Sequence, residues 1–431
     1  MSISISEDIN DELFMDTLSD CSENCVALIS DCESDDDTIT PIQQSNRRTI
    51  SSGPEDDSSD DMEEDIIVND VDVWTVDDAI VQLEPYGRTS SINTMPRDQK
   101  SEWEAAQLFL GDDLFELLVT ETNRYRSQVA NKYKEYKPVK WVDVTVKEMK
   151  KFLGLIILMG QVPKGDIYDY WSTLPYIETP IFPKPMSRNR FMQIWRMWHF
   201  CNNDILHDKS DRLFKIREVL NYIQDKFQTV YTPKQELSLD AGVIPWRGRL
   251  FFRTYNPAKI VKYGILVRML CEAASGYICN FKIYTGSGAT LENTVLSILD
   301  PYVGFHHHTY MDNYYNSVHT AELLLQKNIR VCGTIRANRG VPKNLRDITL
   351  KEHEAKFARK GQVLLHVWQA TKKRIVRTIS TIHSAEMVNV PRWSGTITKP
   401  KPVTDYNKYM KGVDRADQHM SYYNILRKST K

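Results

Sequence analysis

The chain has 431 residues, which is more than one compact core accommodates and suits two or three domains. Its net charge of −2 conceals two opposed parts. Residues 1–87 hold 25 of the 57 acidic side chains and two of the 55 basic ones, which leaves 32 acidic and 53 basic side chains for the rest. That asymmetry is typical of an acidic tail beside a body that binds nucleic acid; the alternative is a solvated basic face without a partner.

Composition also excludes the secreted and membrane-spanning classes. The N terminus is acidic and has no apolar core segment, so no signal peptide is predicted. The longest apolar run, Phe152–Met159, is too short to cross a bilayer. None of the seven cysteines forms a C-x-x-C pair, so spacing reveals no zinc site. We therefore expect a soluble intracellular protein that does not bind membranes.

Acidic residues and serines dominate residues 1–70. Such a segment cannot bury enough apolar surface to offset the entropy of ordering. Residues 71–97 follow as a transition with turn-forming residues. The sequence therefore predicts an acidic, disordered N-terminal region over residues 1–97.

A helical period follows this acidic region. Apolar side chains recur at spacings of three and four between Trp103 and Leu118. Thr145 begins a capping box ahead of an apolar helix, and Ser187 can cap a second helix. Residues 98–234 are therefore predicted to form an all-α domain.

Strand and helix patterns alternate after residue 235. The turn Ser275-Gly276 joins two β-rich runs and predicts an antiparallel hairpin. The order is strand, hairpin, helix, strand, helix, strand, which predicts an α/β domain with a mixed sheet. The predicted elements are the strand Leu237–Asp240, the hairpin strands Tyr263–Cys271 and Tyr277–Tyr284, the helix Leu291–Leu299, the strand Thr309–Asp312, the helix Ser317–Gln326 and the strand Arg330–Ile335.

Residues 339–403 interrupt this alternation of strands and helices. They contain two β-like runs, Gln362–Gln369 and Ile375–Ile382, and they end on a Pro-rich exit. We interpret them as an insertion subdomain. The α/β domain then occupies residues 235–338 and, for its last helix, 404–431.

Four aspartates occupy positions that suit metal binding. Asp240 and Asp312 each end a predicted strand, and Asp414 and Asp417 lie three residues apart on one face of the predicted helix Tyr406–Tyr423. Mg²⁺ prefers hard oxygen ligands, and two such ions can activate an attacking oxygen and stabilise a leaving one at phosphorus. Strand-end and helix carboxylates in a mixed α/β domain are what an RNase H-like nuclease or transposase requires.

Each aspartate also has a simpler structural explanation, because carboxylates commonly cap helices or pair with neighbouring cations. These explanations are helix capping by Asp312 or Asp414, ion pairing of Asp240 with Arg247 or Arg249, and pairing of Asp417 near Arg415 or with water. Spacing alone does not decide between these roles and a joint metal site.

Several blocks of residues resemble those of the piggyBac-type DDE transposases, in the same order and spacing. Asp240 lies in the first catalytic block, Asp312 in the second, and Asp414 with Asp417 in the third. The resemblance covers residues 98–431. The matching blocks are Ser238–Asp240, Pro245–Arg249, Arg253–Pro257, Lys259, Lys262–Gly264, Tyr310–Ser317, Cys332–Arg336, Asn338–Gly340 and Tyr406–Gln418.

The resemblance implies an α/β RNase H-like catalytic domain with a mixed sheet, interrupted by an insertion subdomain and preceded by an all-α domain for dimerisation and DNA binding. It implies Mg²⁺, with Mn²⁺ as a substitute, held by the catalytic residues Asp240, Asp312 and Asp414 with the help of Asp417. It also implies a cut-and-paste reaction in which transposon ends are nicked, closed into hairpins, reopened and joined to DNA at TTAA.

The resemblance further implies the partners and the location of the protein. The expected partners are double-stranded DNA and a second copy of the chain, and the expected location is the nucleus. Basic residues within the matching blocks are the expected DNA contacts. They are Arg247, Arg249, Arg253, Lys259, Lys262, Arg336 and Arg339.

Two departures from the family's pattern leave a second function open. Ala241 follows the first aspartate, where family members commonly carry Glu. The chain stops at Lys431, whereas family members continue with a Trp, further helices and a Cys-rich zinc-binding domain. We therefore expect either a DDE transposase or a domesticated or truncated nuclear DNA-binding protein without transposition activity.

Overall fold

A computed structural model gives the fold of the described residues, which are 74–130, 141–205, 208, 210–246, 248–257, 259, 261–286, 290–392, 395–422 and 425. Most of the predicted disordered region and the predicted DNA contact Arg247 lie outside these ranges. In the part of the chain that the structure describes, no helix is long and apolar enough to cross a bilayer.

Helices predominate among the described residues between 101 and 230, and they recur on the faces of a sheet after residue 235. Hydroxyl side chains start three of the early helices, because Ser101, Thr145 and Ser187 each accept a hydrogen bond from the N–H three residues ahead. The helices are α1 (Glu102–Gln107), α2 (Asp112–Gln128), α3 (Val146–Gln161), α4 (Arg188–Met197), α5 (Arg217–Val230), α6 (Leu291–Leu299), α7 (Val318–Gln326), α8 (Lys343–Arg346), α9 (Lys401–Tyr409) and α10 (Gly412–Tyr422).

An aromatic core holds the early helices together. The rings of Phe152 on α3 and Phe191 on α4 lie 4.9 Å apart, and both side chains are fully buried. Tyr170 is buried beside them and donates to the carbonyl of Val162 at 2.8 Å. The predicted apolar faces of these helices are therefore core. Their roles in dimerisation and DNA binding stay predictions.

Within the described ranges, nine strands form one mixed sheet. Its order is β4-β5-β3-β7-β8-β11-β10-β9, and β6 also pairs with β5. The remaining strands form two separate pairs, β1 with β2 and β12 with β13. The strands are β1 (Ser91–Ile92), β2 (Tyr231–Thr232), β3 (Glu236–Pro245), β4 (Thr254–Tyr255), β5 (Tyr263–Glu272), β6 (Ile278–Ile283), β7 (His308–Met311), β8 (Arg330–Thr334), β9 (Ala355–Lys360), β10 (Val363–Thr371), β11 (Arg374–Ser380), β12 (Met387–Arg392) and β13 (Gly395–Pro400).

The predicted hairpin is present as the antiparallel pair β5 and β6. Gly276 in its turn adopts φ +77°, a left-handed conformation that glycine takes without steric cost. Helix α6 has the predicted bounds, and α7 begins one residue after its predicted start. The parallel strands β3, β7 and β8 at the centre of the sheet confirm its mixed character.

The segment predicted as an insertion contributes strands to the main sheet. β11 pairs antiparallel with β8, for example Gly333 with Ile379, and β10 and β9 extend the sheet beyond it. Among the described residues of this segment, the hairpin β12–β13 lies outside the main sheet. The strands β9–β11 are therefore not a separate layer. They extend the main sheet, because β11 pairs with the edge of β8 that does not pair with β7.

Residues 74–88 run against the sheet, and we call them the N-terminal strap. Asp78 accepts a hydrogen bond from Arg359 at 3.0 Å, and Glu84 accepts one from Arg330 at 2.7 Å. Both arginines are only 4% exposed. This end of the region predicted to be disordered is held in place, since it supplies the carboxylates that buried guanidinium groups require.

Helix α10 packs onto β3 and β5 through a residue without a side chain. A Cβ atom at Gly412 would lie 2.2 Å from the Oγ atom of Ser238 and 2.9 Å from the carbonyl oxygen of Glu272. Glycine at the start of α10 therefore sets the distance between this helix and the sheet.

We expect Gly412→Ala to lower the free energy of unfolding by about 1–3 kcal/mol, because the added methyl group overlaps a strand. The matched control is Gly154→Ala in α3, where a Cβ would meet nothing within 4 Å. Alanine should be neutral there or add about 0.5–1 kcal/mol through helix propensity. Urea unfolding followed by circular dichroism measures both changes. Equal stability of the two variants would contradict the close packing of α10.

Candidate active site

Parallel pairing of β3 with β7 brings Asp240 and Asp312 side by side. Leu239 pairs with Met311 in the register, so the next residues on the two strands are the two aspartates. β7 ends at Met311, whereas β3 continues to Pro245 because its other edge stays paired with β5. Asp240 therefore lies within its strand, and the prediction that it ends the strand is wrong.

Asp312 does not cap the helix that follows it. Ser317 takes that role, since its Oγ accepts the N–H of Thr320 at 3.0 Å. Asp312 instead uses Oδ1 to accept the N–H of Tyr314 at 3.0 Å, within the turn that follows β7. The helix-cap explanation is therefore wrong, because this turn separates Asp312 from the first residue of α7.

Burial and neighbouring negative charge disfavour ionisation of the two strand aspartates. Burial, with a further contribution from the Asp240 carboxylate, raises the pKa of Asp312 to about 6. Burial also raises the pKa of Asp240, against the opposing effect of the Lys259 ammonium. Two neighbouring buried carboxyl groups whose pKa values are both raised form a place where a cation is favoured.

Helix α10 brings Asp417 to β3 and places the Asp414 carboxylate within electrostatic reach of Asp240. A Cβ atom at Gly242, two residues after Asp240, would lie 2.8 Å from Oδ1 of Asp417, so Asp417 reaches the surface of β3 at a glycine. Burial raises the pKa of Asp417 to about 6, and the Asp414 and Asp240 carboxylates add to that rise. The predicted spacing of three therefore does place both side chains toward one charge cluster.

Two alternative roles of the α10 aspartates, a helix cap by Asp414 and a pairing of Asp417 with Arg415, are not observed among the described residues. The helix begins at Gly412, so Asp414 lies inside its first turn and not at its cap. Arg415 donates to the carbonyls of Ala273 and Ala274, which anchors α10 to the turn of the β5–β6 hairpin. Arg415 therefore holds α10 against the β5–β6 hairpin.

Lys259 supplies positive charge at the carboxylates. Its Nζ lies 3.7 Å from Oδ2 of Asp240, and its charge lowers the pKa of Asp312 and Asp417 against the effect of burial. Of the alternatives for Asp240, Arg247 lies outside the described residues, and the observed ion pair is with Lys259 and not with Arg249. The sequence marked Lys259 as a DNA contact and did not reveal this pairing.

Asn316 is a site residue that the sequence did not single out. Its Nδ2 donates to the carbonyls of Met311 at 2.8 Å and Thr334 at 3.0 Å, which ties the end of β7 to the end of β8. A Cβ atom at Gly333 would come 2.4 Å from this Nδ2, so the glycine makes room for it. The only signal for Asn316 was its position inside the second family block.

The other predicted DNA contacts lie at the same end of the sheet as the carboxylates. Arg249, Arg253 and Lys262 are exposed and lie between the end of β3 and the start of β5. Arg336 and Arg339 follow the end of β8 and are partly exposed. Topology therefore places basic side chains on both sides of the aspartates.

The donor set suits a divalent cation by its chemistry. Carboxylate oxygens are the ligands that Mg²⁺ and Mn²⁺ prefer, and these aspartates are destabilised by one another's charge. Among the described residues, however, no three His, Cys, Asp or Glu side chains stand close enough together to form a ready coordination site. The four aspartates fit a metal by type and sign, and their side chains would have to draw together around it.

Comparison with known proteins supports one family. The family model described as Transposase IS4 matches residues 104–431. The human PiggyBac transposable element-derived protein 3 is 24% identical over 375 residues, which cover 81% of this chain and 61% of that protein. The human PiggyBac transposable element-derived protein 2 is 25% identical over 345 residues, which cover 74% of this chain and 56% of that protein. The chain thus spans about three fifths of the length of these relatives.

A solved structure shares the fold. In the cryo-EM structure of a piggyBac transposase synaptic complex with hairpin DNA, the matching chain superposes with a TM-score of 0.64 at 25% identity. The match covers 75% of this chain and 69% of that one. The α/β architecture therefore corresponds to that of a transposase.

We expect Asp312→Asn to stabilise the metal-free protein at pH 7.5. A folded pKa of about 6, above the ordinary 3.8, means that the folded state binds this proton more tightly than the unfolded state does. Its contribution is fully favourable below pH 3.8 and is lost as pH rises through 6, so an ionised Asp312 costs stability at pH 7.5. Asparagine removes that cost, and the gain should be about 1–3 kcal/mol.

Urea unfolding at pH 7.5 and pH 4, with chelator present, measures the effect. The gain should shrink toward pH 4, where wild-type Asp312 is protonated in the folded state. Asp347→Asn, at a carboxylate that is 67% exposed, is the matched control and should change little at either pH. A loss of stability in Asp312→Asn at pH 7.5 would show that the carboxylate is stabilised where it lies.

Proposed function

The chain belongs to the piggyBac-type family of DDE transposases, and from that premise we propose that it cleaves and transfers DNA strands at its carboxylate site. The catalytic residues would be Asp240, Asp312 and Asp414, with Asp417 assisting. The observation that carries the proposal is the register of β3 and β7, which makes Asp240 and Asp312 neighbours, while the helix that bears the other two aspartates packs on β3.

These aspartates would hold Mg²⁺ or Mn²⁺, which supplies the Lewis acidity for displacement at a phosphodiester when it is bound. The protein contributes the position of the carboxylates. β3 and β7 fix two of them on the rigid centre of the sheet, and Gly412 and Gly242 let α10 bring the others close. Asn316 keeps the end of β7 in register with β8.

The basic residues at this edge would orient the DNA. Arg249, Lys262, Arg336 and Arg339 lie on both sides of the aspartates and would contact phosphates of a duplex that crosses the strand ends. The proposed reaction is cut-and-paste transposition at TTAA, in which a freed 3′-hydroxyl is the second nucleophile. A chromosomal target requires a nuclear location, and pairing of two transposon ends favours a homodimer.

A second candidate is a nuclear DNA-binding protein that has lost transposition. The ion pair favours it, because the Lys259 ammonium already lies 3.7 Å from Asp240 and neutralises part of the site. Ala241, next to the catalytic position, is a further departure from the family's pattern. The two candidates share DNA binding and differ in cleavage.

Purified protein should nick a labelled duplex that carries a TTAA-flanked transposon end when Mg²⁺ or Mn²⁺ is present. Asp312→Asn should lower the rate by at least about a hundredfold, because it removes one negative charge from the site. Asp347→Asn should cleave as the wild type does. Binding of the duplex without cleavage by any of the three proteins would support the DNA-binding candidate instead.

Lys262→Ala should weaken duplex binding uniformly across DNA sequences. Loss of one phosphate contact should reduce the slope of log affinity against log salt concentration by about 0.9. Lys327→Ala is the control, since Lys327 precedes β8 and so lies at the opposite end of the sheet. Fluorescence anisotropy between 50 and 200 mM salt, a range of about half a log unit, measures both slopes. Equal slopes for Lys262→Ala and wild type would remove this edge from the proposed DNA path.

A further inference from the structure

Lys259 reaches the carboxylates from a short, closed loop. The loop lies between β4 and β5, and it is closed where the N–H of Asn256 donates to the carbonyl of Lys262 at 2.8 Å. The N–H of Lys259 donates to the carbonyl of Asn256 at 3.4 Å. The side chain then extends to Asp240 while 28% of it stays exposed.

The pair between Lys259 and Asp240 is loose. Its 3.7 Å separation exceeds the roughly 2.7–2.9 Å of a strong charge-assisted hydrogen bond. The pair of Arg330 with Glu84, at 2.7 Å and with a buried guanidinium, shows what a fixed pair looks like in this fold. A partly exposed ammonium on a flexible stem can leave at little cost.

A divalent cation and the Lys259 ammonium would compete for the same oxygen. Both are attracted to Oδ2 of Asp240, and two positive charges at such distances repel each other. The divalent ion carries twice the charge and prefers carboxylate oxygen. Its binding would therefore displace the ammonium toward solvent, at the edge where Arg249 and Lys262 are exposed.

We propose that Lys259 is a positioning residue that holds Asp240 in the metal-free protein and moves to a DNA phosphate when a divalent cation binds. The inference rests on the proposed function for the identity of the two ligands. This movement makes metal and DNA binding cooperative. DNA draws the Lys259 ammonium away from Asp240, where it opposes the metal, and the metal releases Lys259 to contact a DNA phosphate. Linkage requires the effect to be reciprocal.

Metal affinity without DNA is the first test. Isothermal titration of Mn²⁺ into full-length protein should show Lys259→Met binding about tenfold tighter than wild type, because the competing charge is gone. Lys327→Met removes an equal charge at the opposite end of the sheet and should bind Mn²⁺ as wild type does. Damage to the fold lowers metal affinity, so a gain cannot come from misfolding. Equal or weaker binding by Lys259→Met overturns the proposal.

Coupling to DNA is the second test. Ca²⁺, in place of Mg²⁺, allows duplex binding to be measured without cleavage. Ca²⁺ should raise the duplex affinity of wild type and of Lys327→Met by a similar factor, and that of Lys259→Met by a clearly smaller one. An equal increase in duplex affinity for all three proteins would overturn the Lys259 exchange, which is the proposed movement of Lys259 from Asp240 to a DNA phosphate.

The two proposals fail in different ways. A protein that shows the expected Mn²⁺ and coupling results but never nicks DNA keeps the Lys259 exchange and loses transposition. A protein that nicks DNA while Lys259→Met shows no gain in Mn²⁺ affinity keeps transposition and loses the exchange. Absence of Mn²⁺ binding in wild type and Lys259→Met overturns the exchange together with the metal site.

Discussion

The site depends on the parallel register of β3 and β7. Shifting this pairing by one residue would turn one aspartate to the opposite face of the sheet, because side chains alternate along a strand. Hydrophobic residues on both sides fix the register, since Leu239 and Met311 are fully buried. The core of the sheet therefore determines which carboxylates meet.

Bringing these buried carboxylates together costs electrostatic free energy. Burial and repulsion raise the pKa of Asp312 and Asp417, so the folded protein holds negative charge where it is disfavoured. Lys259 offsets part of this cost through a loose contact. Functional sites commonly retain strain of this kind, and the rest of the fold stabilises it. Here the large buried core behind β3 and β7 is that support.

Local patterns in the sequence predicted most of the elements that surround the site. The turn at Ser275-Gly276, the capping box at Thr145 and the apolar runs of β5 and β8 each carry their signal within a few residues. Position within the chain also suggested that Asp312 follows a buried strand. These features depend on propensity and periodicity, which a single sequence displays.

Such local patterns do not predict pairing between residues that are far apart in the chain. Nothing local shows that β11 joins β8, that β3 runs past Asp240 because β5 supports it, or that Lys259 turns toward Asp240. The cap of α7 could not be decided from the sequence because Asp312 and Ser317 are both good capping residues, and only the turn between them decides. The ordered N-terminal strap was not predicted, because its carboxylates pair with arginines that lie far along the chain.

The strap also ties the first described part of the chain to strands that are made much later. Glu84 pairs with a residue 246 positions away, and Asp78 with one 281 positions away. At synthesis rates of about 5–20 residues per second, the strap waits roughly 12–56 s for its partners. The far side of the sheet can therefore close only after β8 and β9 have been synthesised, so the strap should be among the last segments of the sheet to take its place although it precedes them in the chain.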